Sequence, residues 1–266
     1  MSTVINIASP GLANRIKNYV SLMRKYDTIK TNSYSDDYLF GGIDISTDDD
    51  MEKYPVIDAQ NYIDNERWRL TVYDEDIEYL EDDKVIDCLY DRIPNYFIET
   101  YLPYFENLKI NPEIVEYVDE FVDGWGDDVV GVHIRSWYCA RNAWHSNELF
   151  EKEIDKLDKD KKIFFCCDNG DIQKYFVEKY SDRIITYDRT LYNTGNTSES
   201  GLNTDIQSTT DAFIEMLILS KCSKWIGTYA SSFDEVAWWL GGCKSKVIIP
   251  RPNNVPEEFE REFFKL

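Results

Sequence analysis

The chain has 266 residues, with 50 Asp and Glu against 29 Lys and Arg, and a formal net charge of −21 at pH 7. This charge excludes sequence-independent nucleic-acid binding, which needs Lys and Arg along the phosphate track. The sequence also lacks an uninterrupted apolar stretch of the roughly 20 residues that a membrane-spanning helix requires.

The N-terminal residues predict a strand–turn–helix junction. Thr3–Ala8 has the pattern of a strand and stops at the turn residues Ser9-Pro10-Gly11. Helical spacing follows, so Gly11, Asn14 and Arg15 lie near a helix start, where free N–H groups attract an anion. These residues lack the basic segment before an apolar run that marks a secretory signal, so we expect a cytoplasmic protein.

The region up to residue 64 has a weaker pattern. We predict a short strand at Tyr38–Phe40 and a loop with short elements over Asp44–Asp64. Asp48-Asp49-Asp50 has the DxD spacing of some metal-dependent sugar transferases. No apolar strand leads into it, so a solvated loop is favoured.

The following elements are a helical turn, a strand and two helices, predicted at Asp76–Leu80, Lys84–Leu89, Asn95–Phe105 and Pro112–Val122. Gly124-Trp125-Gly126 then predicts a domain joint. We therefore expect an N-terminal α/β domain over 1–125 and a second domain over 126–266.

Strands and helices alternate regularly after this joint. The predicted strands are Val129–Ile134, Lys162–Cys167, Arg183–Tyr187, Lys224–Thr228 and Lys246–Pro250. The predicted helices are Glu148–Leu157, Ile172–Tyr180, Asp205–Cys222, Ser231–Leu240 and Glu257–Phe264. This alternation is typical of an α/β fold with a parallel, doubly wound sheet. A long polar loop, Asp188–Thr204, is a candidate for the rim of a binding site.

Cysteine and histidine usage argues against a disulfide framework and a metal centre. The six cysteines have no framework spacing, and Cys166 and Cys167 are neighbours inside a predicted buried strand. We expect these two to act as small hydrophobic residues in a reducing compartment. With two histidines and no CxxC pair, we expect no bound metal.

The clearest functional stretch is Asp128–Arg141, DVVGVHIRSWYCAR. Ile134 continues the buried alternation of the strand, so His133 and Arg135 share its other face at the carboxyl end. Ligands of open α/β sheets bind beyond these ends, and an arginine there can hold a phosphate with two parallel hydrogen bonds. The alternative is that both side chains pair with nearby carboxylates, which are abundant in this chain.

The second functional stretch is Glu215–Trp239. Glu215, with Asp211 one turn earlier, lies in an otherwise apolar helix and needs a partner. The partner is either the adjacent donors of a guanine edge or a lysine or arginine of the protein. Ser231 and Ser232 are placed to begin the next helix, with Glu235 able to close a capping box. The same groups can cradle a phosphate.

The order of these residues resembles the GT-B fucosyltransferase superfamily, which includes α1,6-, rhizobial nodulation, protein O- and bacterial α1,2-fucosyltransferases. The resemblance consists of G-x-x-N-R, H-x-R, a strand ending in an acid, and acid-x-x-x-L-S-x-C before a Ser-Ser turn: Gly11, Asn14, Arg15, His133, Arg135, Asp168, Glu215, Leu219, Ser220, Cys222, Ser231 and Ser232. It implies two Rossmann-like domains that face each other across a cleft.

The resemblance also implies an enzyme that transfers fucose from GDP-fucose to a glycan or other hydroxyl acceptor with inversion, without metal or cofactor. Catalytic roles fall to Arg135, which would hold the pyrophosphate, and to Asn14. The donor site would comprise Gly11, Arg15, His133, Arg135, Asp168, Asp211, Glu215, Ser231 and Ser232. Candidates for the acceptor side are Asp44, Trp144 and His145.

Other interpretations stay open. The chain is alternatively a transferase that uses another nucleotide sugar, or a non-catalytic nucleotide-sugar or glycan-binding protein of the same fold. A phosphatase or kinase is disfavoured because the sequence has no GxxxxGK[ST] loop and no G-x-S-x-G elbow. The general base is unassigned, since nothing in the sequence distinguishes Asp36, Asp37 or Asp44 from surface acids.

Overall fold

The computed structural model describes residues 2–7, 11–58, 95–136, 145–189, 191, 205–229 and 231–252. The predicted turn Asp76–Leu80, strand Lys84–Leu89 and helix Glu257–Phe264 lie outside these residues. Most of the predicted loop Asp188–Thr204 does so too.

The first half of the chain contains a parallel four-stranded sheet in the order β3-β2-β1-β4. Its elements are β1 Thr3–Ile7, α1 Leu12–Met23, β2 Thr28–Thr31, α2 Tyr34–Leu39, β3 Ile43–Ile45, α3 Asp48–Lys53 and β4 Val56–Asp58. Two further helices precede the second half, α4 Asn95–Glu106 and α5 Pro112–Phe121.

Two predictions for this half are wrong. The strand expected at Tyr38–Phe40 is mostly helix, because Tyr38 and Leu39 complete α2 and place Leu39 in the core. The loop expected at Asp48-Asp49-Asp50 is the first turn of α3. Thr47 and Asp50 form a capping box there, and the helix dipole favours three carboxylates at a helix start.

The second half forms a parallel five-stranded sheet in the order β7-β6-β5-β8-β9, which confirms the predicted doubly wound sheet. Its elements are β5 Val129–Ile134, α6 Asn147–Ile154, β6 Lys162–Cys167, α7 Gly170–Tyr180, β7 Ile184–Ile185, α8 Ile206–Lys221, β8 Lys224–Ile226, α9 Ser232–Leu240 and β9 Lys246–Ile248. Short 3₁₀ turns, Gly126–Asp128 and Ser181–Arg183, precede β5 and β7. None of the helices in the described ranges combines the length and hydropathy needed to cross a bilayer.

The central strand β5 is buried on both faces. Its side chains point alternately to the two faces of the sheet, and helices cover each face. Val130, Val132 and Ile134 pack with the hydrophobic residues of α6 and α7. On the other face Gly131 lies against α8, where an added Cβ would stand 2.5 Å from a Leu219 methyl carbon. His133 and Arg135 follow on that face.

Helices from both halves pack directly together. Lys17 of α1 forms a 2.7 Å ion pair with Glu235 of α9. Phe105 of α4 stacks on Trp239 of α9, with ring centroids 5.1 Å apart. A single hydrophobic cluster therefore contains buried residues from both halves.

Candidate functional site

The strand order of the second sheet reverses between β5 and β8. In open α/β sheets a ligand crevice forms at such a point, beyond the carboxyl ends of the strands. Here the residues at these ends include His133 near the carboxyl end of β5, Arg135 directly after β5, Asp168 after β6 and Thr228 after β8. We call these four residues the switch-point edge.

Thr228 ties β5 to β8 at this edge. The Arg135 backbone N–H donates to the Thr228 hydroxyl oxygen at 2.9 Å, and that hydroxyl donates to the His133 carbonyl at 2.9 Å. Both bonds lie beyond the last backbone pair of the two strands, Val132 with Ile226. The backbone that carries Arg135 is therefore anchored on a fully buried side chain.

His133 is held by the first turn of α9. Its Nδ1 lies 2.8 Å from Asp234 Oδ2, and this oxygen also accepts the Thr228 N–H at 3.1 Å. The imidazole stacks on the Phe233 ring, with centroids 4.3 Å apart. Sequence reasoning missed Asp234, because an acid in a first helical turn is usually explained by the helix dipole. No local pattern points to a partner 101 residues away.

Arg135 pairs with Asp168. Its Nη1 donates to Asp168 Oδ2, and the other carboxylate oxygen accepts the Ser136 backbone N–H at 2.7 Å. The two side chains are 19% and 20% exposed. The structure thus brings together two predicted site residues. It also shows that His133 and Arg135 each have a carboxylate partner, the alternative that the sequence left open.

Glu215 pairs with Arg189, which follows β7. Arg189 Nη2 lies 2.8 Å from Glu215 Oε2 and also donates to the Cys167 carbonyl at 2.8 Å. Burial raises the pKa of Glu215 to about 8; Arg189 opposes this shift, while Asp211 and Asp168 add to it. Of the two partners considered for Glu215, the structure contains the protein arginine.

Asp211 is buried one turn earlier on α8. Its Oδ1 accepts hydrogen bonds from the Tyr187 hydroxyl at 3.1 Å and from Gln207 Nε2 at 2.8 Å. Burial and the neighbouring Asp211 carboxylate raise the pKa of Tyr187. Two predicted donor-site carboxylates are therefore adjacent and both are engaged by protein donors.

The Ser-Ser turn begins α9, as predicted, but without the expected capping box. Ser231 is the N-cap residue, yet its side chain accepts no bond from the helix backbone, and Ser232 is the first helical residue. With Ser231 as the N-cap, Glu235 is the fourth helical residue and lies one position beyond the capping-box position, which Asp234 occupies. Glu235 pairs with Lys17 instead.

Gly11, Asn14 and Arg15 lie at the start of α1. Gly11 precedes the helix with φ of 95°, and Asn14 Oδ1 is buried without a hydrogen-bond partner within the described ranges. Arg15 is 5% exposed and pairs through Nε with Asp36 at 2.9 Å. Asp36 also accepts the Tyr19 hydroxyl at 2.5 Å, so this buried acid is poorly placed to serve as a general base. Within the described ranges, no hydrogen bond joins these three residues to the switch-point edge.

The acceptor candidates are dispersed. Trp144 lies outside the described residues, His145 is buried just before α6, and Asp44 is exposed on β3 of the first sheet. Among the described residues, no group of His, Cys, Asp and Glu is arranged to hold a metal ion.

The fold is similar to solved fucosyltransferase structures. No family model and no curated protein matches the sequence. The fucosyltransferase NodZ from Bradyrhizobium superposes with a TM-score of 0.53 at 16% identity, covering 96% of this chain and 97% of NodZ. NodZ α1,6-fucosyltransferase soaked with GDP-fucose gives 0.52 at 17% identity, with 90% and 92% covered. A mutant of Arabidopsis thaliana FUT1 in complex with GDP gives 0.51 at 14% identity, with 95% and 71% covered.

The similarity extends over nearly the whole chain, including both of its parallel sheets. Identities this low establish the fold and not the activity. The chain has the GT-B fold of the fucosyltransferases, as the order of its motifs implied.

Proposed function

We propose that the protein is a glycosyltransferase that transfers fucose from GDP-fucose to a hydroxyl group of a glycan or other acceptor. The observation that carries this proposal is the fold, which is that of solved fucosyltransferases, one soaked with GDP-fucose and one in complex with GDP. The arrangement of Arg135 and the α9 start at the switch-point edge supports it.

Arg135 is the proposed diphosphate-binding residue. A guanidinium carries five N–H donors in a planar fork whose geometry matches two phosphate oxygens. The side chain is partly exposed, and its backbone is anchored through Thr228. The N-terminus of α9, with Ser231 and Ser232, begins beside this edge and adds the positive end of a helix dipole. A chain of net charge −21 needs such local positive potential to attract a diphosphate.

The proposed reaction is an inverting displacement at the sugar C1. The acceptor oxygen forms a bond to C1, the bond from C1 to the diphosphate oxygen breaks, and the hydroxyl proton passes to a general base. Negative charge grows on the departing diphosphate, where Arg135 and the α9 N-terminus are placed to stabilise it. Asn14 is proposed to face donor and acceptor, and metal independence is part of the proposal.

Glu215 and Asp211 are the proposed nucleobase residues. The N1–H and N2–H₂ groups of guanine present adjacent donors that an ionised carboxylate can accept, so this role requires Glu215 to release its proton when the base binds. In the structure Arg189 supplies such a donor to Glu215, so guanine would have to replace it. We assign donor binding to 126–266 and the acceptor side to 1–125; the cytoplasmic location remains a prediction.

Ligand-induced stabilisation tests the donor assignment. At about 100 times its dissociation constant, a ligand stabilises the folded state by about 2.7 kcal/mol. We expect GDP to raise the melting temperature more than UDP or dTDP does, and Arg135→Ala to remove this effect.

Arg183→Ala is the control for the Arg135 variant. Arg183 donates to the Lys161 and Asp158 carbonyls at the opposite end of the same sheet, so its loss should leave the response to GDP intact. Equal stabilisation by the three nucleotides, or an unchanged response of Arg135→Ala, would contradict the assignment.

A second candidate is a non-catalytic nucleotide-sugar-binding protein of the same fold. One observation favours it: His133, Arg135 and Glu215 all have protein partners. Release of GDP from GDP-fucose, with or without acceptor, separates the two candidates. An enzyme releases GDP, whereas a binding protein only retains the donor.

A further inference from the structure

Asp234 is a buried carboxylate that the proposed function does not use. It is fully buried, and Oδ2 accepts both the Thr228 N–H and the His133 Nδ1 contact. Its other oxygen, Oδ1, is buried and accepts no hydrogen bond from any residue that the structure describes. A carboxylate that leaves an oxygen unsatisfied in the interior costs free energy. Stability alone therefore does not explain an aspartate at this position.

The backbone of β8 is shaped around this carboxylate. A Cβ at Gly227 would lie 2.7 Å from Asp234 Oδ1 and 2.9 Å from its Cγ. Only glycine lets the strand end pass so close. Asp234 is thus confined between the Gly227 backbone on one side and the imidazole of His133 on the other.

We propose that Asp234 is a positioning residue that fixes the ring orientation and tautomer of His133 for nucleotide binding. An ionised carboxylate only accepts hydrogen bonds, so Nδ1 of His133 carries the hydrogen. In that tautomer Nε2 is the acceptor nitrogen of the ring, and Phe233 stacked on the ring opposes its rotation. Within the described ranges Nε2 has no hydrogen-bond partner, which leaves it for a donor group of the ligand.

This inference rests on the proposed function, which identifies the ligand as a nucleoside diphosphate. It adds a residue that acts through His133 and does not itself touch the nucleotide. The predicted consequence is that the tautomer of His133 and the affinity for GDP change together.

The first experiment uses the unmodified protein. The chain contains two histidines, so a His133→Asn variant assigns their side-chain ¹⁵N NMR signals. We expect His133 to show a protonated Nδ1 and an unprotonated Nε2, with GDP shifting the Nε2 signal more than the Nδ1 signal. An unprotonated Nδ1 in the wild-type protein would overturn the inference.

The second experiment measures GDP affinity in variants. Asp234→Asn keeps the size of the side chain and removes its charge; we expect about tenfold weaker binding or more, the size of one hydrogen bond to a charged group, and a changed His133 tautomer. Combining it with His133→Asn should weaken binding no further than His133→Asn alone, because both changes remove the same interaction.

Glu235→Gln is the matched control. It also removes a buried carboxylate from the first turn of α9, at an expected cost in stability, but Glu235 pairs with Lys17 and not with His133. It should leave the His133 signals and GDP affinity unchanged. Undiminished GDP binding by Asp234→Asn, or additive losses in the double variant, would overturn the inference alone. Failure of the unmodified protein to bind GDP would overturn the proposed function and this inference with it.

Discussion

Glu215 holds its proton more tightly than an exposed glutamate, although Arg189 lies 2.8 Å away. Burial raises its pKa to about 8 from an ordinary value of 4.5, since removal from water disfavours the charged form more than one arginine compensates. Asp211 and Asp168 add to the effect. The folded protein therefore retains a proton at this site that the unfolded chain releases near the ordinary value.

This difference predicts a pH dependence of stability. A raised pKa in the folded state contributes stability that is fully present below the unfolded pKa of 4.5 and is lost as the pH rises through about 8. The free energy of unfolding of the wild type relative to Glu215→Gln should fall over that window, by about 1.4 kcal/mol per unit of pKa difference. Urea unfolding of both proteins across the window measures it, and titrations common to both cancel. A difference independent of pH would contradict the raised pKa.

At the scale of elements, one buried ion pair joins helices of the two halves. The side chains of Lys17 on α1 and Glu235 on α9 are 1% and 7% exposed, and Glu235 also accepts the Trp239 indole N–H at 3.3 Å. Both charges have lost their hydration, so each depends on the other. The contact between α1 and α9 therefore contains a specific charged pair in addition to apolar packing.

Removing one partner of this pair should be strongly destabilising. Lys17→Met removes the cation that lies 2.7 Å from the buried Glu235 carboxylate, for an expected cost of about 3–5 kcal/mol in urea unfolding. The double variant Lys17→Met, Glu235→Gln should recover a large part of that loss. The control, Lys156→Met, breaks the exposed Lys156–Glu153 pair and should change stability little. Equal effects of the buried and exposed variants would contradict the argument.

At the scale of the molecule, the two sheets share one hydrophobic cluster. It includes Ile16 and Phe40 from the first half with Phe213 and Trp239 from the second. Phe40 and Phe213 meet edge to face, with centroids 5.1 Å apart. Separating the halves would expose this apolar surface to water.

We therefore predict that the whole chain unfolds in one cooperative transition. The calorimetric and van't Hoff enthalpies should agree, and a chain of residues 126–266 alone should melt at a lower temperature than the full protein. Two resolved transitions, with the fragment as stable as the full chain, would instead mean that 1–125 and 126–266 fold independently.

The sequence predicted the second sheet well because the required signals are local. The strands predicted at Val129–Ile134 and Lys162–Cys167 contain the apolar runs Val129–Val132 and Ile163–Cys167, as strands buried on both faces do, and their bounds are confirmed. The β7 strand is shorter than predicted, since only Ile184–Ile185 pairs with β6.

The wrong predictions of secondary structure lie in the first half of the chain. The helical start at Asp48 depends on a capping box, and Tyr38 joins a helix through the burial of Leu39.

The sequence by itself determined the alternation of strands and helices, the face shared by His133 and Arg135, and the order of motifs that implied this fold. The tertiary structure decided the partners: Asp234 for His133, Asp168 for Arg135 and Arg189 for Glu215. The physical reason is the distance along the chain over which each interaction acts. Hydrophobic period and turn chemistry act over a few neighbouring residues, whereas the partner of a buried charge is set by which strand ends the sheet order brings side by side.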